Sequence, residues 1–250
     1  MRSIWRALRR IVSNAARRAG CGAIATRARG GAARIGEDTT MLAKLTVEEF
    51  TERLAEGTPT PGGGSAAALA GTLSASLLKM VCDLTLGKEQ YRAHEEAVRG
   101  IRRRAEALKK DLLALVDRDA QAYDGVIRAR RLPKGTPAEQ EARAAALARA
   151  NMFATETPMA VAEACAVLMT LAIELAHKGN SNAVSDVGSA ALLAYAGLRA
   201  GVMNVRVNLG GIGDEERAAR ARDRVRRLEV EAEKSREEAL TAAFSRMNGR

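Results

Sequence analysis

Nowhere along its 250 residues does this sequence alternate β-branched or aromatic side chains with polar ones over the length of a strand. A sheet is therefore excluded as the organising element, and helices must bury the core. Composition agrees. Aromatic residues are 3% of the chain and prolines number 5, whereas Ala is abundant and the hydrophobic fraction reaches 47%. The expected fold is all-α, a bundle of long antiparallel helices.

Capping signals set the segments. Thr46-Val47-Glu48-Glu49 is a capping box and opens a helix that ends near Gly57. The stretch TPTPGGG is a loop, because Pro59 and Pro61 forbid regular structure and three glycines permit any turn. A buried helix is predicted from about Ser65 to Leu86, and a long one from about Glu89 to Arg131. Thr136-Pro137-Ala138-Glu139 restarts the chain with a capping residue and a proline at the first helical position. That helix should reach Lys178, kinked at Pro158, and stop at Gly179. Further helices are predicted over about 181–208 and from Asp214 to about Met247. No internal repeat or linker divides residues 41–250, which read as one helical domain.

The formal charge of +10 suggests a polyanion partner, yet it is unevenly placed. Residues 1–40 hold nine arginines, no lysine, and only Glu37 and Asp38 as acids, leaving +3 for the remainder. Such an Arg-rich, acid-poor leader has the character of an organellar transit peptide. The preferred expectation is a mis-called upstream start, since Met41 opens the well-formed MLAKLTVEEF. Against nucleic-acid binding stand the near-balanced charge beyond residue 40 and the lack of aromatics interleaved with arginine. Cys82, Cys165, His94 and His177 are too few and wrongly spaced for a metal site. The two cysteines are expected to be reduced and buried, as in a cytoplasmic protein. The run SAAALAGTLSASLL stops at Lys79, short of the roughly 20 residues a bilayer requires, so no membrane segment is expected.

Three stretches carry candidate chemistry. In LVDRDAQAYDGV, helical spacing aligns Leu108, Leu112, Leu115, Asp119, Tyr123 (or Ala122) and Val126, while Asp117 falls with Lys110 and Asp124 on the polar side. Desolvation should raise the pKa of Asp119 and fit it for proton transfer near neutral pH, unless an arginine from another helix pairs with it. In GNSNAVSDVG, Asn182 and Asp186 are four apart on one face, which continues through Ser189, Gly197 and Asn204. Asp186 and Asn204 stand five turns apart, about 27 Å, beyond the reach of one small ligand. Two copies of this helix packed antiparallel about a two-fold axis near Tyr195–Gly197 would bring Asp186 of one subunit to Asn204 of the other. The simpler reading is that Asn180 or Ser181 caps the helix and Asn208 ends it. Finally, Gly62, Gly63 and Gly64 precede a helix capped by Ser65, whose exposed N–H groups welcome an anion. No strand precedes them, so a dinucleotide-binding loop is excluded.

Taken together, TPTPGGGSAAALAG, GKEQY (87–91), LVDRDAQAY (115–123), RLPKGTP (131–137), GNSNAVSDVG and NVRVNL (204–209) resemble the cyclodeaminase/cyclohydrolase family of folate one-carbon metabolism. The resemblance implies an all-helical homodimer acting on a tetrahydrofolate derivative, without metal, nucleotide or other cofactor. It implies a catalytic aspartate at Asp119. It suggests that Gly62, Gly63, Gly64, Ser65, Tyr123, Asn180, Asn182, Asp186 and Asn204 bind the substrate, with Lys88 and Lys134 meeting its glutamate tail. The expected activity is hydrolysis of 5,10-methenyltetrahydrofolate to 10-formyltetrahydrofolate. Formimidoyltetrahydrofolate cyclodeaminase is the alternative, set second because this chain shows no transferase domain. A nucleic-acid-binding protein or a purely structural helical dimer would leave Asp119 and the amide face without a task.

Overall fold

Thr46 and Thr136 each form a complete capping box, the threonine hydroxyl accepting from the N–H three residues on and Glu49 or Glu139 reaching back. These boxes fix two of the six α-helices in the computed structural model, which describes residues 41–248. The expected leader over residues 1–40 lies outside the described residues. Residues Leu42–Arg250 form one compact unit. The helices are α1 (Val47–Ala55), α2 (Gly63–Thr85), α3 (Glu95–Arg130), α4 (Pro137–Lys178), α5 (Val184–Leu209) and α6 (Glu215–Asn248), joined by 3-10 turns at Glu89–His94 and Ser181–Ala183, with another at Leu42–Lys44. No strand occurs among the described residues, and the all-α expectation holds.

Side-chain contacts give the topology. Ser65 at the start of α2 meets Val116 late in α3, and Arg118 of α3 lies over Phe153 of α4. Asn208 of α5 meets Ala154 of α4, while Gly63 of α2 lies beside Asn204 of α5. Helices α2 to α5 thus form a closed antiparallel ring. Helix α6 lies outside it, against α4 and α5, where Arg224 pairs with Glu163 and Arg206 with Glu229. The ring interior holds Leu78, Leu112, Leu168, Leu171 and Leu198, all fully buried.

Two glycines let the ring close tightly. A Cβ on Gly197 of α5 would lie 2.8 Å from Cys165 Sγ and 2.9 Å from the Ala67 carbonyl. One on Gly71 of α2 would meet the same sulfur at 2.8 Å. Three helices therefore approach around one buried thiol. This corrects the expected role of Gly197 as an intersubunit contact surface: it is spent on contact within the chain, and its neighbour Tyr195 bonds Glu233 of α6.

Helix α4 runs its full predicted length through Pro158. Proline has no N–H to offer the carbonyl four residues back. That carbonyl, on Ala154, instead accepts from Asn208 Nδ2 at 2.6 Å, so Asn208 does more than end α5. The long helix expected from Glu89 begins only at Glu95, because Tyr91 turns inward and is buried.

By length and composition alone, α2 and α4 are apolar enough to cross a membrane, which the shorter run read from the sequence did not suggest. In the bundle, 56% and 67% of those apolar windows are buried, the pattern of core helices. Replacing Gly197 with Ala should destabilise the fold by about 1–3 kcal/mol through overpacking, read as a lower midpoint in chemical denaturation.

Candidate functional site

The carboxyl group of Asp119 occupies the place where a side chain on Gly64 would be. A Cβ there would fall inside the carboxyl's van der Waals envelope, 2.6 Å from Oδ2. Only glycine lets α3 set an acid on the first turn of α2. There the helix leaves unpaired N–H groups and partial positive charge. The anion expected at these glycines is thus met first by a carboxylate of the chain itself.

Ser65 is fully buried and belongs to the helix rather than capping it; the capping position is Gly62. The correction follows from packing, because the Ser65 hydroxyl is turned toward α3. It donates to the Val116 carbonyl at 2.8 Å and lies 3.3 Å from Asp119 Oδ2. Burial raises the pKa of Asp119 above the ordinary carboxylate range, opposed by the Ser65 N–H and hydroxyl. Asp119 enters no ion pair among the described residues, so the arginine-paired alternative is not what the structure has.

Asp117 departs from the expectation. Predicted on the polar face, it is 8% exposed. The chain entering α1 folds over that face, and the Leu42 N–H donates to Asp117 Oδ1 at 2.5 Å. Helical spacing cannot reveal cover supplied by a segment 75 residues away.

Asn204 joins the Asp119 end. Its Nδ2 would stand 3.4 Å from a Cβ on Gly63 and donates to the Ala200 carbonyl at 2.9 Å. Tyr123, one turn beyond Asp119, is 40% exposed. Gly62, Gly63, Gly64, Ser65, Asp119, Tyr123 and Asn204 therefore gather where the start of α2 meets α3 and α5. Lys134 lies farther out, exposed in the turn between α3 and α4.

Lys88, Asn180, Asn182 and Asp186 lie elsewhere. They cluster at the opposite end of α2, whose length alone separates the two groups by about 33 Å. Asn180 is buried and committed to the protein. Its N–H donates to Thr85 Oγ1 at 2.8 Å, its Nδ2 to the Leu84 carbonyl at 3.1 Å, and its Oδ1 accepts from the Asn182 N–H at 3.0 Å. The Tyr91 hydroxyl accepts from the Ser181 N–H at 3.0 Å and lies 3.3 Å from Asn180 Oδ1. Capping therefore accounts for Asn180. Asn182 is exposed and Asp186 half-buried, and neither side chain has a partner among the described residues. Tyr91 was missed as a site residue. Its signal was an aromatic in a chain with few of them, beside the GKE turn.

Between the two ends, a face of the ring is apolar and open. Helix α2 exposes Leu73, Met80 and Leu84 at helical spacing, and α5, which packs against α2, exposes Leu192, Met203 and Val207. Asp186 and Asn204 border this face.

A helical ring with an acid seated on a glycine turn and a separate amide cluster defines a class, and the chain's similarities agree. It belongs to the formiminotransferase-cyclodeaminase family, whose description matches residues 46–227. A methenyltetrahydrofolate cyclohydrolase of Methylorubrum extorquens is 42% identical over 189 residues, covering 76% of this chain and 89% of that protein. The formimidoyltransferase-cyclodeaminase of Sus scrofa is 34% identical over 73% of this chain, which spans only 34% of that longer protein. The crystal structure of formiminotetrahydrofolate cyclodeaminase from Thermotoga maritima superposes with a TM-score of 0.72 at 27% identity, covering 82% of this chain and 98% of that one.

The raised pKa of Asp119 has a consequence for stability. Between the ordinary carboxylate pKa, about 4, and its higher folded value, the native state binds more protons than the unfolded state. Stability therefore falls as pH rises through that window. Asp119→Asn removes this penalty, so the variant's stability relative to the parent should grow from about pH 4 upward and then level off. Denaturation series at several pH values measure it.

Proposed function

We propose that the protein hydrolyses 5,10-methenyltetrahydrofolate to 10-formyltetrahydrofolate, with Asp119 moving the proton. The observation that carries this reading is the half-buried, unpaired carboxyl on the glycine turn of α2. Water adds to the cationic carbon bridging N5 and N10 and Asp119 accepts one of its protons; the same carboxylic acid returns that proton to N5 as the C–N5 bond breaks, and the remaining hydroxyl proton leaves to solvent as the formyl C=O forms. The formyl group remains on N10. A pKa above the ordinary carboxylate range brings both halves of that exchange closer to neutral pH. The 42% identity to a protein named for this activity supports the same assignment.

The second reading is formimidoyltetrahydrofolate cyclodeaminase, favoured by the Thermotoga maritima structure. There N10 attacks the formimidoyl carbon and ammonia leaves after protonation, so the acid–base requirement is the same.

We further propose that the active unit is a homodimer with composite sites. The open apolar face of α2 and α5 is covered by a second copy running antiparallel. This carries the partner's amide cluster, with Asn182, Asp186 and Lys88, to the Asp119 end. The revised contact face preserves the pairing of Asp186 with Asn204 while leaving Gly197 inside each subunit. Asn182, Asp186 and Asn204 then recognise pterin donors and acceptors, Tyr123 packs on the ring system, and Lys88 and Lys134 meet the glutamate carboxylates. No cofactor is required by this chemistry. The buried free cysteines, Cys82 and Cys165, accord with a cytoplasmic enzyme.

Absorbance of the methenyl bridge separates the activities: it disappears in hydrolysis and appears in deamination. Asp119→Asn should lower kcat at least about 1,000-fold while leaving tetrahydrofolate affinity within about threefold. Retention of normal turnover by this variant would overturn its assigned role.

The composite site has its own test. Asp119→Asn and Asp186→Asn subunits, each inactive alone, should on mixing by subunit exchange recover up to about a quarter of parent activity. Half of the dimers would be mixed, with one of two sites intact. Confirmed subunit exchange without recovery, or a monomer in sedimentation, would refute the shared site.

A further inference from the structure

We infer that Arg246, in the last turn of α6, is a positioning residue for Asn182 and Asp186, fixing the direction in which the chain leaves α4 toward them. The inference rests on the reading that those two side chains meet the substrate. Arg246 lies beyond residues 46–227, which the family description covers.

The end of α4 leaves carbonyls without intrahelical partners. One guanidinium gathers them. Arg246 Nη1 donates to the Ala176 carbonyl at 2.8 Å and also to the His177 carbonyl, while Nη2 donates to the Gly179 carbonyl at 2.8 Å. Gly179 immediately precedes the amide turn. It cannot carry a side chain in this position, since a Cβ would stand 2.7 Å from the Leu175 carbonyl. The backbone is therefore held on both sides at the residue where it changes direction.

From there the restraint passes along a continuous set of bonds. Asn180 is fixed to Thr85 and Leu84 of α2, Ser181 to Tyr91, and the Asn182 N–H to Asn180 Oδ1. Helix α5 starts two residues later, at Val184, and Asp186 lies in its first turn. Helix α6 can hold Arg246 in place because it is registered against its neighbours. Arg224 pairs with Glu163 of α4, and Tyr195 and Arg206 of α5 bond Glu233 and Glu229. A planar guanidinium reaches the three carbonyls together, a geometry that a single ammonium cannot reproduce.

The test uses full-length Arg246→Ala and Arg246→Lys, assayed on 5,10-methenyltetrahydrofolate, with tetrahydrofolate binding followed by calorimetry. Arg246→Ala should raise KM and weaken tetrahydrofolate binding by at least about tenfold, with kcat held within about threefold. Guanidinium ion at millimolar concentration should restore much of the KM of the alanine variant, and Arg246→Lys should remain impaired. An unchanged KM, or equal losses in kcat and KM that guanidinium does not restore, would overturn the proposal. Should Arg246→Ala fail to fold, Tyr91→Phe removes a later link in the same chain of bonds. It must then raise KM selectively, and an unaltered KM refutes the inference. A parent protein that neither binds nor converts the folates overturns the functional reading as well, whereas an active parent with an indifferent Arg246→Ala overturns this inference alone.

Discussion

Asp119 and Gly64 occupy what would otherwise be the same space, and that exclusion organises the site. A carboxyl group can press against the first turn of α2 only where that turn lacks a side chain. The contact serves two purposes at once. It locks the register of α2 against α3, aided by the Ser65 hydroxyl bridging toward Val116. It also removes the acid from bulk water while leaving it no cation, which lifts its pKa rather than lowering it. Had an arginine stood there, the same aspartate would be a permanent anion with little use as a proton donor.

The surrounding bundle tolerates polar groups where the backbone demands them. Pro158 costs α4 one hydrogen bond, and Asn208 supplies it from α5. The end of α4 and the start of α5 form a second polar centre, satisfied by Asn180, Tyr91 and Thr85. At the second centre the buried Asn180 has its N–H, Nδ2 and Oδ1 all bonded, which avoids the penalty of an unpaired buried polar group. Asn182 and Asp186 differ: held on this base, their side chains have no partner among the described residues. The division between spent and unspent polar groups separates scaffold from candidate site more clearly than residue type does.

The acid and the amide cluster lie at opposite ends of long helices within one chain. Small glycine contacts pull α2, α4 and α5 together around Cys165, and this close packing leaves the outer apolar rows of α2 and α5 without cover. The proposed antiparallel second copy would hide those rows and join the two polar ends in one step. Burial of apolar surface and completion of the site would then be the same event.

Helix positions were legible in the sequence because they rest on local rules. Capping boxes at Thr46 and Thr136, the stop at Gly179 and apolar spacing along α3 are written within a few residues of where they act. The unusual standing of Asp119 was legible for the same reason, since it interrupts a leucine stripe. What tertiary structure alone decided is who covers whom. Leu42 closes over Asp117, Ser65 turns from cap to ligand of α3, Gly197 is consumed inside the chain, and Arg246 reaches back to α4. Each depends on segments distant in sequence meeting in space, and helical periodicity, which reports the face a residue occupies, carries no information about the neighbour that face will find.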